Sequence, residues 1–138
     1  MEITLSLVKP DGVKKKYIGE IIRRFEQRGL KVVGLRMLHL TQREAEGFYQ
    51  VHKSRPFFND LTAFMSSGPI VAMSLKGENA IKKVREIMGA TDPKAADKGT
   101  IRGDLGAGIE ENVVHGSDSK ESAQFELPYF FNILELNV

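Results

Sequence analysis

The N-terminal run Ile3-Thr4-Leu5-Ser6-Leu7 alternates apolar and hydroxyl side chains and is stopped by Pro10-Asp11-Gly12, and this pairing of a period-two run with an abrupt turn constrains the fold most. It predicts a strand over 3–9, with Lys9 at the strand's exit. Ile18, Ile21, Ile22 and Phe25 then recur at helical spacing and Gly29 makes a stop, which predicts a helix over 17–28. Strand character returns over 30–40 through Val32-Val33. Thr41-Gln42-Arg43-Glu44 has the spacing of a capping box and opens a helix carrying Phe48, Tyr49 and His52. Phe57, Phe58, Leu61, Phe64 and Met65 predict a second short helix, closed by Ser66-Ser67-Gly68-Pro69. A strand over 70–75 and a helix over 79–88 follow, with Ile81, Val84, Ile87 and Met88 facing inward. Residues 89–111 are glycine-rich with little apolar period, a long excursion of the kind that carries function. A helix over 119–126 and a last strand over 129–136 complete the order. The pattern suits a split β-α-β, ferredoxin-like plan: an α+β sandwich in which helices cover one face of a four-stranded antiparallel sheet.

The chain has 138 residues, enough for one domain with a real core, and no linker or low-complexity tract divides it, so 1–138 reads as a single domain. Twenty Lys and Arg against 18 Asp and Glu leave a net charge of +2, from which no nucleic-acid partner follows. Lys14-Lys15-Lys16 is a solvated turn on this reading. The absence of cysteine excludes disulfides, thiolate metal sites and thiol catalysis. No basic start with a long apolar core opens the chain, and no apolar run approaches the ~20 residues that span a bilayer, so a soluble, cytoplasmic protein without a membrane partner is expected.

The densest chemistry lies in Asn112-Val113-Val114-His115-Gly116-Ser117-Asp118-Ser119. Val113 and Val114 suit a short extended segment, Gly116 permits a tight turn and an open approach, and Ser117, Asp118 and Ser119 can cap a following helix. An unperturbed imidazole has a pKa of about 6.5, so near neutrality it offers one ring nitrogen with a lone pair while the other can be held. Alone, such a histidine reads either as a nucleophile or as a structural or exposed side chain. No P-loop or dinucleotide fingerprint occurs, since Gly103, Gly106 and Gly108 have the wrong spacing. Arg102-Gly103-Asp104 is an accidental match to an adhesion tripeptide, and His39, His52 and His115 are too scattered for zinc.

Read in order, Lys9-Pro10-Asp11-Gly12, Arg55-Pro56-Phe57-Phe58, Ser67-Gly68-Pro69, Gly99-Thr100-Ile101-Arg102-Gly103-Asp104 and the segment around His115 resemble the nucleoside diphosphate kinase family over nearly the whole chain. The resemblance implies a ferredoxin-like fold and transfer of the terminal phosphate of a nucleoside triphosphate, mainly ATP, to a nucleoside diphosphate. By motif, His115 would be the phosphate-carrying nucleophile of a ping-pong reaction. Glu126 would hold its other ring nitrogen and Ser117 would position that carboxylate. Arg85, Arg102 and Thr91 match positions that hold the nucleotide phosphates, Lys9 and Tyr49 match positions near the transferred group, and His52 matches one that can contact phosphate. Asn112 and Lys9 would bond the sugar hydroxyls. Phe57 would stack on the base, with Ile109 on its other face and Leu61 nearby, which implies broad base tolerance.

The resemblance also implies Mg²⁺, held mainly by nucleotide oxygens and water because the chain offers no dedicated cage. It implies a homo-oligomer, hexamer or tetramer, built from dimers; the end at Val138, without the extension of longer members, does not choose between them. Asp92 stands where asparagine is common, a change with no expected loss of activity. A non-catalytic nucleotide- or nucleic-acid-binding module on the same fold and a secondary protein histidine kinase activity are the rival readings; the nucleoside diphosphate kinase reading itself requires no nucleic acid.

Overall fold

The computed structural model describes all residues from Met1 to Val138. β1 (Glu2–Val8) leads into a short helix α1 (Pro10–Lys14), and then α2 (Ile18–Gln27) and β2 (Lys31–Leu38). α3 (Gln42–Phe48) and α4 (Phe58–Met65) flank a 3₁₀ turn at Gln50–His52. β3 (Ile70–Gly77), α5 (Ala80–Met88), α6 (Ile101–Leu105), β4 (Val114–Gly116) and α7 (Lys120–Phe130) follow, with a final 3₁₀ turn at Ile133–Glu135. The sheet order is β2-β3-β1-β4 with every pairing antiparallel, the ferredoxin-like arrangement the sequence predicts.

Helices cover both faces of this sheet rather than the one face expected. Val8, Val71, Met73 and Leu75 pack under Ile21 and Phe25 of α2 and Val84, Ile87 and Met88 of α5. Leu5, Leu7, Ile70 and Ala72 pack on the other side against Ala45 and Phe48 of α3, Met65 of α4 and Phe130 of α7. The cause is visible in β1. Thr4 and Ser6 alternate with the leucines yet are fully buried, so the polar face of the alternation is small and hydroxylic rather than solvated. Ser6 Oγ is satisfied by donating to the His115 carbonyl on β4 at 2.8 Å.

The fourth strand is not residues 129–136. β4 is a three-residue strand that pairs Leu7 with His115 and Val8 with Val114, while the predicted last strand is the end of α7 followed by a 3₁₀ turn. Other boundaries fall close to expectation. The Thr41 capping box is present, with Thr41 Oγ1 accepting from the Glu44 amide at 3.1 Å and Glu44 Oε1 from the Thr41 amide at 2.8 Å. α3 ends at Phe48, however, and His52 lies on the 3₁₀ turn beyond it. Pro10-Asp11-Gly12 is the first turn of α1 rather than a simple turn, and the excursion over 89–111 contains α6, capped by Thr100 Oγ1 at the Gly103 amide. No helix is long and apolar enough to cross a membrane.

Candidate active site

His115 stands at the middle of β4, and its backbone position is set by the ladder to β1 and by the Ser6 hydroxyl. Its side chain is held by α7. Nε2 lies 2.9 Å from Glu126 Oε1, and Ser117 Oγ donates to the same oxygen at 2.7 Å. An ionised carboxylate can only accept, so Nε2 carries the ring proton and the lone pair resides on Nδ1. The tautomer therefore follows from the contact. Glu126 reaches the ring because Ser119 caps α7, accepting from the Ser122 amide at 3.1 Å, which fixes where the helix begins. Capping thus falls to Ser119, and Ser117 is free to hold Glu126. Phe48 and Tyr49 flank the imidazole edge-on, with ring centroids 5.4 and 6.0 Å away.

Gly116 has a different purpose from the tight turn the sequence suggests. It is a strand residue, and a Cβ there would stand 2.9 Å from both Cε and Sδ of Met88. Its lack of a side chain lets α5 close on β4, which brings Arg85 to the site, where Nη1 donates to the Gly116 carbonyl at 3.3 Å.

A cavity of about 660 Å³ opens over His115. Lys9, Tyr49, His52, Phe57, Leu61, Arg85, Thr91, Arg102, Ile109, Asn112, His115 and Glu126 all line it; of the sequence-predicted residues only Ser117 does not, and it joins through Glu126. Phe48, Val51, Asp60, Glu110, Asp118 and Ser122 line it too and were not anticipated. The pairing of Asp118 with Ser122, whose hydroxyl donates to the carboxylate, had a signal in their four-residue spacing across the start of α7. A larger, more open groove of about 1010 Å³ crosses α5 and shares Arg85 and Asp118, but it lacks His115 and mixes both signs of charge. The chemistry belongs to the more enclosed cavity.

The cavity has two ends. At the mouth Phe57 and Ile109 are 47 % and 64 % exposed, apolar surfaces available to a flat ligand. His52 links Phe57 to Tyr49, with centroids 5.5 and 6.4 Å apart. At the inner end cations collect. Lys9 Nζ donates to Asn112 Oδ1 at 2.8 Å, and Asn112 Nδ2 donates to the Thr91 carbonyl at 3.0 Å. Arg102 spends donors on the carbonyls of Asn112, Gly89 and Val114 at 3.3, 3.2 and 2.7 Å. A guanidinium has five N–H donors, so Arg102 is locked in place and still has two to offer.

Electrostatics mark this inner end as short of negative charge. Burial, then the Arg102 guanidinium, lowers the Lys9 ammonium to about 8, against the partial opposing effect of Asp11 and Glu110. Burial and then Arg85 lower Arg102 to about 10. Burial pushes the Tyr49 phenol up, with Glu126 adding to it, so that residue stays a neutral hydroxyl, and its oxygen has no partner within the protein. Buried cations lowered first by burial and then by a neighbouring guanidinium are relieved by a polyanion. No group of three or more His, Cys, Asp or Glu side chains is placed to cage a metal. The arrangement can bind a polyanion carrying a flat group and present the lone pair of an imidazole to it.

Comparison with known proteins agrees. The family model described as Nucleoside diphosphate kinase matches residues 2–136. The chain is 57 % identical over 136 residues to a nucleoside diphosphate kinase of Desulforapulum autotrophicum and 58 % over 136 residues to one of Geotalea daltonii, covering 99 % of each chain in both cases. Among solved structures, the Aquifex aeolicus nucleoside diphosphate kinase superposes with a TM-score of 0.96 at 48 % identity, covering 98 % of both chains. The Halobacterium salinarum nucleoside diphosphate kinase, solved in complex with CDP, gives 0.94 at 42 % identity, covering 98 % of this chain and 90 % of that one.

Proposed function

This chain belongs to the nucleoside diphosphate kinase family, and from that premise we propose that it moves the terminal phosphoryl group of a nucleoside triphosphate to a nucleoside diphosphate in two steps through His115. The observation that carries the reading is the Ser117–Glu126–His115 relay on the cavity floor, which leaves Nδ1 as the one ring nitrogen with a free lone pair.

In the first step Nδ1 attacks the γ-phosphorus, the N–P bond forms, and the bond to the bridging oxygen breaks as a nucleoside diphosphate departs with the electron pair. The imidazole gains positive charge as Nδ1 bonds, and the Glu126 carboxylate at Nε2 stabilises it. A neutral imidazole needs no general base, so the protein's contribution is orientation and charge. In the second step a terminal oxygen of another nucleoside diphosphate attacks the same phosphorus and the N–P electrons return to Nδ1. Lys9, Arg85 and Arg102 take up the charge spread over the transferring oxygens, with Thr91, His52 and the Tyr49 hydroxyl also directed at phosphate. Asn112 and Lys9 bond the sugar.

Phe57 and Ile109 sandwich the base, with Leu61 alongside, and this contact is to π-faces that every base presents. Mg²⁺ would arrive with the nucleotide, held mainly by substrate oxygens and water rather than by protein carboxylates, and would supply positive charge beside Lys9, Arg85 and Arg102. Assembly into a homo-oligomer is part of the proposal. It is supported by Leu35 and Met37, 53 % and 59 % exposed on the edge strand β2.

Incubation with γ-labelled ATP should leave acid-labile label on the chain, and both purine and pyrimidine diphosphates should discharge it at comparable rates. His115→Ala should take up none. Equal labelling and turnover by His115→Ala would remove the mechanism, and a strong preference for one base would remove the stacking account.

A further inference from the structure

The three residues leading into β4 form an uncommon turn. The Val114 amide donates to the Asn112 carbonyl at 2.9 Å, and Val113 between them sits at φ 76°. This is a γ-turn of the rarer hand, and its central residue is β-branched, the kind of side chain that avoids positive φ. Without restraint Val113 would return to extended backbone, so the turn depends on what grips it. The Val113 carbonyl accepts from the Lys9 amide at 2.8 Å, and Arg102 takes the carbonyls on either side. The Val113 amide donates to the carboxylate of Asp11, Oδ2, at 3.1 Å.

Asp11 is buried in the first turn of α1, and its other oxygen has no hydrogen-bond partner. Burying a carboxylate is costly, and the Lys9 ammonium and the Val113 amide act against that cost here. Its neighbour Gly12 brings α1 so close that a Cβ there would lie 3.0 Å from Val113 Cγ1. On one side of the turn is Asn112, tied to Lys9 and Thr91; on the other are Val114 and His115, tied to β1. The φ of Val113 therefore sets the offset between the two.

We propose that Asp11 is a positioning residue for phosphoryl transfer, acting through the Val113 amide to hold the turn that fixes the substrate contacts of Asn112 relative to the nucleophilic nitrogen of His115. The proposal rests on the roles given to His115 and Asn112 above.

The test is a single-turnover measurement of phosphohistidine formation from ATP, with hydrogen exchange at the Val113 amide read by NMR. D11A should slow formation by about 100-fold, the scale that an ångström of misplacement costs, and should expose the Val113 amide to exchange. D11N keeps an oxygen that accepts from the amide and should recover most of the rate together with slow exchange. In a V113G background, where glycine takes positive φ without strain, D11A should cost about tenfold or less. The proposal is overturned if D11N is as slow as D11A, if the loss from D11A is the same in both backgrounds, or if any Asp11 variant keeps full rate with a freely exchanging Val113 amide. Should D11A fail to fold, D11N decides alone: a retained rate with slow Val113 exchange supports the proposal, and loss of either overturns it. Labelling of His115→Ala would instead defeat the nucleophile assignment, while the exchange readout still reports on the turn.

Discussion

At His115 the reactive atom is decided by what the opposite nitrogen touches. Glu126 takes Nε2, Ser117 takes Glu126, and Nδ1 is left with the lone pair. Lys9 shows the same dependence of chemistry on surroundings. Burial and Arg102 lower its ammonium to about 8, so in the free enzyme it is cationic below that pH and neutralises as pH rises through it. If the charged form meets the phosphates, kcat/KM should fall on the alkaline side with an apparent pKa of about 8, because that parameter reports the free enzyme. Bound polyphosphate favours the cation, so the matching limb in kcat should lie at higher pH. A kcat/KM profile flat through pH 9 would contradict the assignment. Lys9 was legible in the sequence because it ends a strand within a recognised motif. Asp11, two residues further, was not, since its partner Val113 is 102 residues away and local pattern carries no trace of that contact.

Among the elements, the boundary between β4 and α5 shows how packing rather than local flexibility can require a glycine. A methyl at Gly116 would press on Met88 and Val84, and overpacking of this kind costs ~1–3 kcal/mol. Gly116→Ala should therefore lower the melting temperature and, by displacing α5, weaken phosphate binding through Arg85; unchanged values for both would refute the packing argument. The helices α2 and α5 were readable because one side chain in three to four faces the core along their length, and β3 because, buried on both faces, it reads as a compact apolar run of strand length. β4 hid because three residues give too short a run to show a period, and its identity comes from the ladder to β1. The apolar stretch over 129–136 suggested a strand. Yet α7 continues through Pro128 to Phe130, which buries its ring against the β1 leucines. α6 was lost in a glycine-rich stretch for a similar reason: five residues are held by a Thr100 cap and by the ion pair of Asp104 with Arg24 at 2.9 Å, the latter a contact across 80 residues.

Across the whole molecule, the site is assembled from segments that only the fold brings together. Lys9 leaves β1, His115 lies on the neighbouring β4, Arg85 and Arg102 come from α5 and α6, and the aromatic mouth comes from the connection between α3 and α4. Both faces of the sheet are covered by helices, and the buried cations at the inner end of the cavity are what the proposed polyphosphate substrate would meet. The central claim concerns one bond. After a single turnover with ATP, the phosphoenzyme should show phosphorus bound to Nδ1 of His115 in ¹H–³¹P correlation spectra, and addition of a nucleoside diphosphate should erase that signal as the corresponding triphosphate appears. Phosphorus on Nε2, on another residue, or on no residue while turnover proceeds would contradict the account.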